Sequence, residues 1–189
     1  MQKEEKYRSI YDSINLLLAG PCASKDLFLT AAALLQDGFD FLWTGFYFVE
    51  DLPGLDGLRC IGKDEGDTDL HSKGPWLILG PSVGPPACEK IRYGRGVCGT
   101  AWKEERSVVV PDVDLFPGHI ACSSESRSEI VVPLMSSTKS HLPADGAAPK
   151  PDRVLGVLDI DSREHGTFDA VDAIWLERIC SCISNSGLL

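Results

Sequence analysis

The sequence predicts an α+β fold, with a central antiparallel sheet and the N- and C-terminal helices packed on one side of it. Helical periodicity is confined to the two ends of the chain, and short apolar segments rich in β-branched and aromatic residues occupy the middle. These segments do not alternate regularly with helices, which argues against a doubly wound parallel sheet. The 189 residues suit a single domain that spans 1–189.

Two helices are predicted at the N-terminal end and one at the C-terminal end. Apolar residues recur at helical spacing from Tyr7 to Leu18, and Gly20–Pro21 ends this first helix. The second helix has Ser24 as its predicted N-cap and closes at Gly38. The last begins at Asp169. Its predicted inner stripe consists of Val171, Ile174, Trp175, Arg178, Ile179 and Cys182.

The strands are predicted where apolar and β-branched residues cluster between the helices. They are residues 41–49, 76–79, 108–110, 130–135 and 154–160. Two polar segments separate some of them. Residues 51–75 are rich in Gly and Asp and are expected to form a hairpin or a mobile loop, and residues 136–152 are expected to form a mobile loop.

Charge and hydropathy exclude several classes of partner. The formal net charge is -10, whereas a nucleic-acid surface needs clustered positive charge. An anionic membrane surface is disfavoured for the same reason. No segment approaches 18 consecutive apolar residues, and no apolar signal region follows the polar N-terminus. We therefore expect a cytoplasmic protein that binds neither nucleic acid nor membrane.

Seven cysteines are present, an odd number that cannot all pair within one chain. In a reducing compartment they start as thiols. A lone cysteine is usually structural, but Cys88, Cys98 and Cys122 lie within 35 positions of the Gly- and Pro-rich middle of the chain, which weakens that expectation. Cys182 is expected to be buried on the last helix and Cys180 to be partly exposed. Cys22 and Cys60 lie in connecting segments.

Three kinds of chemistry are possible for this middle region. Residues 94–99 fit G-x-G-x-x-G, but residues 89–93 do not form a buried strand before it, so no nucleotide site is expected. His119 and the three cysteines can be written as a Cys₃His zinc set, yet the spacing lacks a C-x-x-C pair, and no metal is expected. Redox chemistry is favoured, in which one thiolate attacks and another captures the resulting sulfenic acid as a disulfide.

Acidic residues accompany two of the predicted strands. Asp159 and Asp161 share one face of a strand because side chains alternate, and Glu129 directly precedes another strand. Two carboxylates on one face of an apolar strand repel each other, which points to a cationic ligand or a shared proton. The alternative is that the strand ends at Asp159 and that both aspartates are solvated.

Five segments together resemble the free methionine-(R)-sulfoxide reductases, which are stand-alone GAF-domain proteins. The segments are WTGFY (43–47), GPPACEKIRYGRGVCGTA (84–101), FPGHIAC (116–122), SRSEIVVPL (126–134) and GVLDIDS (156–162). They span most of the chain, and the departures fall in the two expected loops. Cys22, Cys60, Cys180 and Cys182 are not part of the family pattern.

The resemblance implies a GAF-like antiparallel sheet and the reduction of free L-methionine-R-sulfoxide to methionine. It also implies recycling by thioredoxin, with no metal, flavin or nucleotide cofactor. The three cysteines of the family match Cys88, Cys98 and Cys122. Its substrate pocket matches Trp43, Tyr47, Glu129, Asp159 and Asp161.

The chemistry of a free amino-acid sulfoxide assigns expected roles to the matched pocket residues. Glu129, assisted by Asp161, would protonate the sulfoxide oxygen. Asp159 or Asp161 would pair with the substrate ammonium, and amides of a Gly-rich or helix-start segment would take its carboxylate. Trp43 and Tyr47 would pack against the S-methyl group.

The order of the thiols stays open in the sequence. Cys122 is the expected nucleophile and Cys88 the first resolving thiol, with Cys98 as the alternative partner. Cys98 could attack instead, because a helix N-terminus lowers the pKa of a thiol. Arg127 and His119 could lower the pKa of Cys122.

Two other functions fit the same resemblance. A GAF-type sensor of a small ligand is one, since fold alone does not give function, and a disulfide-switched regulatory protein without turnover is the other. The thiol trio beside an acid cluster favours the reductase. The first helix would also allow a homodimer.

Overall fold

A computed structural model of the protein describes residues 2–21, 23–52, 58, 75–120, 122–136 and 153–187. The helices are α1 (Lys3–Leu18), α2 (Ser24–Phe39), α3 (Gly96–Glu104) and α4 (Ala170–Ser184). The strands are β1 (Trp43–Val49), β2 (Trp76–Val83), β3 (Lys90–Arg92), β4 (Val108–Val110), β5 (Ser128–Met135) and β6 (Val154–Ser162). A short 3₁₀ helix spans Val113–Leu115.

The described strands form one sheet in the order β3-β2-β1-β6-β5-β4. Every neighbouring pair in it is antiparallel. The predicted α+β class with a central antiparallel sheet is therefore confirmed. None of the helices in the described residues has the length and apolar character needed to cross a membrane.

Helices α2 and α4 pack on one face of the sheet and α1 packs against these two helices, so the terminal helices lie on one side as the sequence predicted. Side chains that alternate along the strands supply the sheet's half of this apolar core. Phe28 of α2 meets Phe46 and Phe48 of β1 edge to face, with ring centroids 4.8 and 5.0 Å away. Such edge-to-face pairs add to the stabilisation from burial alone.

The N-terminal helix is fastened to α4 by a polar cluster. The Tyr7 hydroxyl donates a 2.7 Å hydrogen bond to the buried carboxylate of Asp172. Lys3 forms ion pairs with Asp172 and, at 2.9 Å, with Asp169. Asp172 also accepts from the backbone N–H of Asp169 and so completes the capping box of α4. A buried carboxylate thus holds two ends of the chain together.

The opposite face carries α3, which lies over β5 and β6. The sequence indicated only that a helix could begin near Cys98; the Gly-rich composition hid its nine residues. Residues 89–93 were not expected to form a buried strand, and Lys90–Arg92 pairs with β2 as a short edge strand that is only partly buried. The strand predicted at 76–79 continues through Gly80 and Pro81 to Val83.

Glycine at position 38 does not end α2, contrary to the sequence prediction. The helix runs on to Phe39, and Asp40 closes it in the left-handed conformation. A Cβ at Gly38 would lie 2.9 Å from Cδ1 of Ile10. A side chain at position 38 would therefore require the end of the Ile10 side chain to shift, because α1 and α2 approach each other closely there.

The inner stripe predicted for α4 is partly wrong. Ile174 is 51% exposed, whereas Cys180 is 1% exposed. Arg178 is exposed and stacks over the ring of Trp175, and Cys182 is only half-buried. Asp172 faces inward, so the buried face of the helix is offset by one residue from the predicted stripe and includes Leu176, Cys180 and Ile183.

Most of the two expected loops, 51–75 and 136–152, lies outside the described residues, as do Cys22 and Cys60. Their predicted mobility therefore stays a prediction.

Candidate active site

Three neighbouring strands bring the predicted pocket residues together. Trp43 of β1 lies opposite Asp161 of β6, which lies opposite Glu129 of β5. Two positions along, Gly45 lies opposite Asp159. Because alternate residues of a strand share a face, Tyr47 also lies on this side of the sheet.

A pocket opens between this sheet face and α3. Its empty volume, measured out to the open mouth, is about 550 Å³. All five substrate-binding residues expected from the sequence line it, together with Cys98 and Cys122. The other lining residues are Pro85, Pro86, Ala87, Ile91, Gly96, Val97, His119, Ile120, Ser123 and Ser126.

Two aromatic rings form one wall of the pocket. The rings of Trp43 and Tyr47 lie 5.8 Å apart at 33°. The indole lies against Gly45, where a Cβ would come within 2.4 Å of it, so a side chain at this position would displace the ring. The Tyr47 hydroxyl donates a 2.9 Å hydrogen bond to the carbonyl of Cys88 and so connects this wall to the segment that precedes β3.

Three carboxyl groups lie together on the floor of the pocket. Glu129 and Asp159 are each 6% exposed. Burial raises the pKa of Glu129 well above its usual range, and the charges of Asp159 and Asp161 raise it further. Burial and Asp161 likewise raise the pKa of Asp159. The mutual repulsion of these buried carboxyl groups therefore favours a bound proton or a cation.

The strand β6 continues to Ser162, so the alternative of two solvated aspartates at a strand end is wrong. Burial raises the pKa of Asp161 from 3.8 to about 6, although a hydrogen bond from the Ser126 hydroxyl acts in the opposite direction. One oxygen of Asp159, Oδ1, is buried and has no hydrogen-bond partner among the described residues.

Two of the three candidate cysteines form a disulfide. Cys88 precedes β3, Cys122 precedes β5, and their Cα atoms are 5.6 Å apart. Cys122 is exposed at the pocket mouth. In this disulfide form the Cys₃His set weighed from the sequence cannot supply three thiolates.

The third cysteine, Cys98, lies apart from the disulfide on α3 and is 3% exposed. Burial raises its pKa well above the usual range. Asp159 and Glu129 raise it further, and the thiol is hydrogen-bonded to Asp159. The suggestion that the helix N-terminus lowers this pKa is therefore wrong: desolvation and nearby carboxylates outweigh the helix.

His119 and Arg127 are the two residues expected from the sequence to influence the Cys122 thiol. Nε2 of His119 lies 3.7 Å from Oε2 of Glu129. Burial lowers the pKa of His119, with Asp114 opposing, which favours the neutral imidazole. Arg127 donates hydrogen bonds to the carbonyl groups of residues 124 and 126, close to Cys122 in the chain. Their predicted effect on the pKa of Cys122 stays a prediction.

Sequence reasoning assigned no role to Ser126, although it lies within one of the recognised segments. The backbone N–H of Arg127 bonds the carbonyl of Ser162 at 2.8 Å, which brings Ser126 beside Asp161. That pairing joins residues 35 positions apart. No local pattern signals it.

One group of side chains has the donor atoms of a metal site. The Cys98 thiol and one carboxylate oxygen each from Glu129 and Asp159 all lie within 4.8 Å of one another. All three residues are buried.

The fold and the pocket define a GAF-domain protein, and a GAF domain model matches residues 25–186. Comparison with curated proteins narrows the family. The free methionine-R-sulfoxide reductase of Escherichia coli is 34% identical, over 95% of this chain and 87% of that protein. The enzyme of the same name from Saccharomyces cerevisiae is 46% identical, over 78% of this chain and 63% of that protein.

A solved structure agrees with these relatives. It is the free methionine-R-sulfoxide reductase of Neisseria meningitidis in complex with its substrate. That protein is 36% identical, matches 98% of this chain and 90% of its own, and superposes with a TM-score of 0.73. The chain therefore belongs to the free methionine-R-sulfoxide reductase family, a family of oxidoreductases, and the recognition made from the sequence is confirmed.

Proposed function

We propose that this chain reduces free L-methionine-R-sulfoxide to L-methionine with its own cysteines. The observation that carries the proposal is the disulfide between Cys88 and Cys122 at the mouth of a pocket with three crowded carboxyl groups. Family membership supports the same activity. No metal, flavin or nucleotide is needed for the steps described below.

The pocket offers a partner for each part of a free amino-acid sulfoxide. The unpartnered Oδ1 of Asp159 suits the ammonium group. Gly96 and Val97 at the start of α3 line the pocket, and the backbone N–H groups of a helix N-terminus attract a carboxylate. The rings of Trp43 and Tyr47 suit the methyl-sulfur group. Recognition of both charged ends would exclude a methionine sulfoxide within a polypeptide.

Glu129 is the general acid in this proposal. A sulfoxide sulfur becomes electrophilic when its oxygen is protonated, and a carboxyl group with a raised pKa keeps that proton near neutral pH. General acid catalysis of this kind contributes about 10²–10⁴ in rate. Asp161, whose pKa is about 6, assists by holding a further proton or charge beside Glu129.

The thiol steps begin from the reduced pair. The Cys122 thiolate attacks the sulfoxide sulfur while the oxygen takes a proton from Glu129. The oxygen passes to the Cys122 sulfur, so methionine leaves and a sulfenic acid remains. The Cys88 thiol then attacks this sulfenic acid, which releases water and forms the disulfide. The Cα separation of 5.6 Å supports this pairing, because it lies within the usual range for a disulfide.

Cys98 takes neither thiol role in the proposal. A buried thiol hydrogen-bonded to Asp159 keeps its proton, and a protonated thiol is a poor nucleophile. The residue instead contributes to the polar floor of the pocket.

Thioredoxin is the proposed reductant. Its dithiol would attack the exposed sulfur of Cys122 and regenerate both thiols in two exchange steps. Such recycling requires a reducing compartment, in keeping with the cytoplasmic location expected from the sequence.

A coupled assay with thioredoxin, thioredoxin reductase and NADPH tests the activity. Free methionine-R-sulfoxide, its S epimer and an N-acetylated, amide-blocked form are supplied in parallel. We expect NADPH consumption with the free R epimer alone. If the reduced protein turns over none of the three, the sensor or disulfide-switch function replaces the proposal.

Single-turnover assays on reduced Cys-to-Ser variants test the order of the thiols. Cys122→Ser is expected to release no methionine, whereas Cys88→Ser and Cys98→Ser release one equivalent. Cys182→Ser, on α4, is the matched control. Release of methionine by Cys122→Ser but not by Cys98→Ser would reverse the assignment of the nucleophile.

A homodimer through the first helices is also proposed. Leu16 of α1 is 76% exposed, which suits a contact with a second copy. Light scattering of the wild type and of Leu16→Lys measures the mass directly. A monomeric wild type would contradict this arrangement.

A further inference from the structure

Cys98, Glu129 and Asp159 form a buried cluster of one thiol and two carboxyl groups. Its members come from α3, β5 and β6, and their ligand atoms lie within 4.8 Å of one another. Their exposed fractions are 3, 6 and 6%. Three elements of a packed domain therefore hold a thiol and two carboxyl groups around one small volume.

A second observation indicates that the same group of side chains can bind a cation. Oδ1 of Asp159 is buried and finds no hydrogen-bond partner among the described residues. Asp159 also lines the pocket. A buried carboxylate oxygen without a partner is costly. A cation bound there would supply that oxygen with a ligand and neutralise the crowded charges.

We propose that the reduced protein binds one Zn²⁺ ion through Cys98 Sγ and one carboxylate oxygen each of Glu129 and Asp159. The donor set suits this ion, because Zn²⁺ accepts both thiolate and carboxylate ligands. Ligand atoms around tetrahedral zinc lie about 3.5 Å apart. Contraction from the present spacing therefore needs side-chain movements of about an ångström.

The charges at the site are compatible with this occupant. A thiolate and two carboxylates carry three negative charges against two on the ion, and Asp161 lies beside them. Binding releases the protons of the thiol and of any protonated carboxyl group to solvent. The fourth position faces the pocket, where water completes the coordination. The neutral imidazole of His119, 3.7 Å from Glu129, lies on the same side.

This zinc ion is an inhibitor, not a cofactor. The ion binds Glu129, the proposed general acid, and Asp159, the proposed partner of the substrate ammonium. Zinc and the sulfoxide therefore compete, and this consequence rests on the proposed function. The binding itself does not depend on turnover. A failure of the zinc site and a failure of the reductase are therefore measured separately.

The test uses reduced, desalted protein under anaerobic conditions. Co²⁺ serves as the spectroscopic probe, because a thiolate ligand gives a near-ultraviolet charge-transfer band, and Zn²⁺ is then titrated against the bound Co²⁺. We expect one ion per chain and a thiolate band. Loss of even an outer-shell partner weakens metal binding by about 10–100-fold, so Cys98→Ser is expected to lose the band and about 100-fold or more in Zn²⁺ affinity.

Three further variants keep the result interpretable. Cys182→Ser has the same number of thiols as Cys98→Ser and is expected to bind like the wild type. The Cys88→Ser/Cys122→Ser double variant is expected to keep the band, since its site is intact. Glu129→Gln, which is nearly isosteric, is expected to weaken Zn²⁺ binding even if Cys98→Ser does not fold. The proposal is overturned if the wild type binds no Zn²⁺, or if the thiolate band survives in Cys98→Ser.

Discussion

Replacement of Asp161 by asparagine is expected to stabilise the protein at neutral pH. The carboxyl group is close to Glu129 and Asp159, and burial raises its pKa from 3.8 to about 6. An amide of the same shape carries no charge and still accepts the hydrogen bond from Ser126. The fold should therefore tolerate the substitution, while the repulsion between the three acids decreases.

The magnitude and its pH dependence follow from the two pKa values. One pKa unit corresponds to about 1.4 kcal/mol, so ionised Asp161 lowers the free energy of unfolding by at most about 3 kcal/mol. Because the pKa of Asp161 is higher in the folded protein than in the unfolded chain, the protonated carboxyl group favours folding, and this contribution is fully present in the wild type below pH 3.8. It is lost as the pH rises to about 6. Asp161→Asn should therefore match the wild type near pH 4 and exceed it at pH 7.

Urea unfolding of the oxidised protein measures the effect, with the disulfide intact in both variants. Free energies of unfolding are compared at several pH values between 4 and 8. Asp12→Asn, an exposed substitution on α1, is the control and should follow the wild type throughout. A variant no more stable than the wild type at pH 7, or a gain that persists unchanged at pH 4, would refute the reasoning.

Three further predictions concern the other carboxylates. Glu129→Gln is expected to slow single-turnover release of methionine by about 10²–10⁴-fold. In the wild type, the rate of this release should fall as the pH rises through the raised pKa of Glu129. A rate that does not change with pH would contradict the role of Glu129 as the general acid. Asp159→Asn is expected to raise KM by about 10–100-fold, because a charge-assisted hydrogen bond is worth about 1.5–3 kcal/mol, and steady-state kinetics with an unchanged KM would argue against the ammonium partner. Asp172→Ala is expected to lower the free energy of unfolding by about 2–4 kcal/mol, and Tyr7→Phe by about 1 kcal/mol. Urea unfolding measures both, and a smaller loss in Asp172→Ala than in Tyr7→Phe would contradict a central role for the Asp172 carboxylate.

The sequence was informative about the site where the signal is local. Asp159 and Asp161 are two positions apart, so their shared face follows from the geometry of any strand. The resemblance then added Glu129 and the aromatic pair. What brings these residues together is the register of β1, β6 and β5, in which the pairing of β1 with β6 joins positions more than 100 residues apart. No local pattern contains that register.

Tertiary contacts decided the features that the sequence did not predict. A helix N-terminus suggested a lowered pKa for Cys98, but the residue is buried beside two carboxyl groups that reverse the direction. The stripe of α4 was misjudged because Asp172 faces inward to meet Tyr7, and a charged residue is normally assigned to the exposed face. In both places a buried carboxylate overrides the local rule.

One face of the sheet forms an apolar core and the other lines a polar pocket, and the register of the strands is compatible with both. On β1, β5 and β6, most residues that face the helical core are apolar, whereas the intervening positions supply Trp43, Glu129, Asp159 and Asp161 to the pocket. A one-residue slip of β6 would turn both aspartates into the apolar core and Ile160 into the pocket. The cost of burying those charges among phenylalanines makes such a slip very unfavourable. The same acids that weaken the fold at neutral pH therefore also fix the pairing of the strands, and with it the geometry of the site.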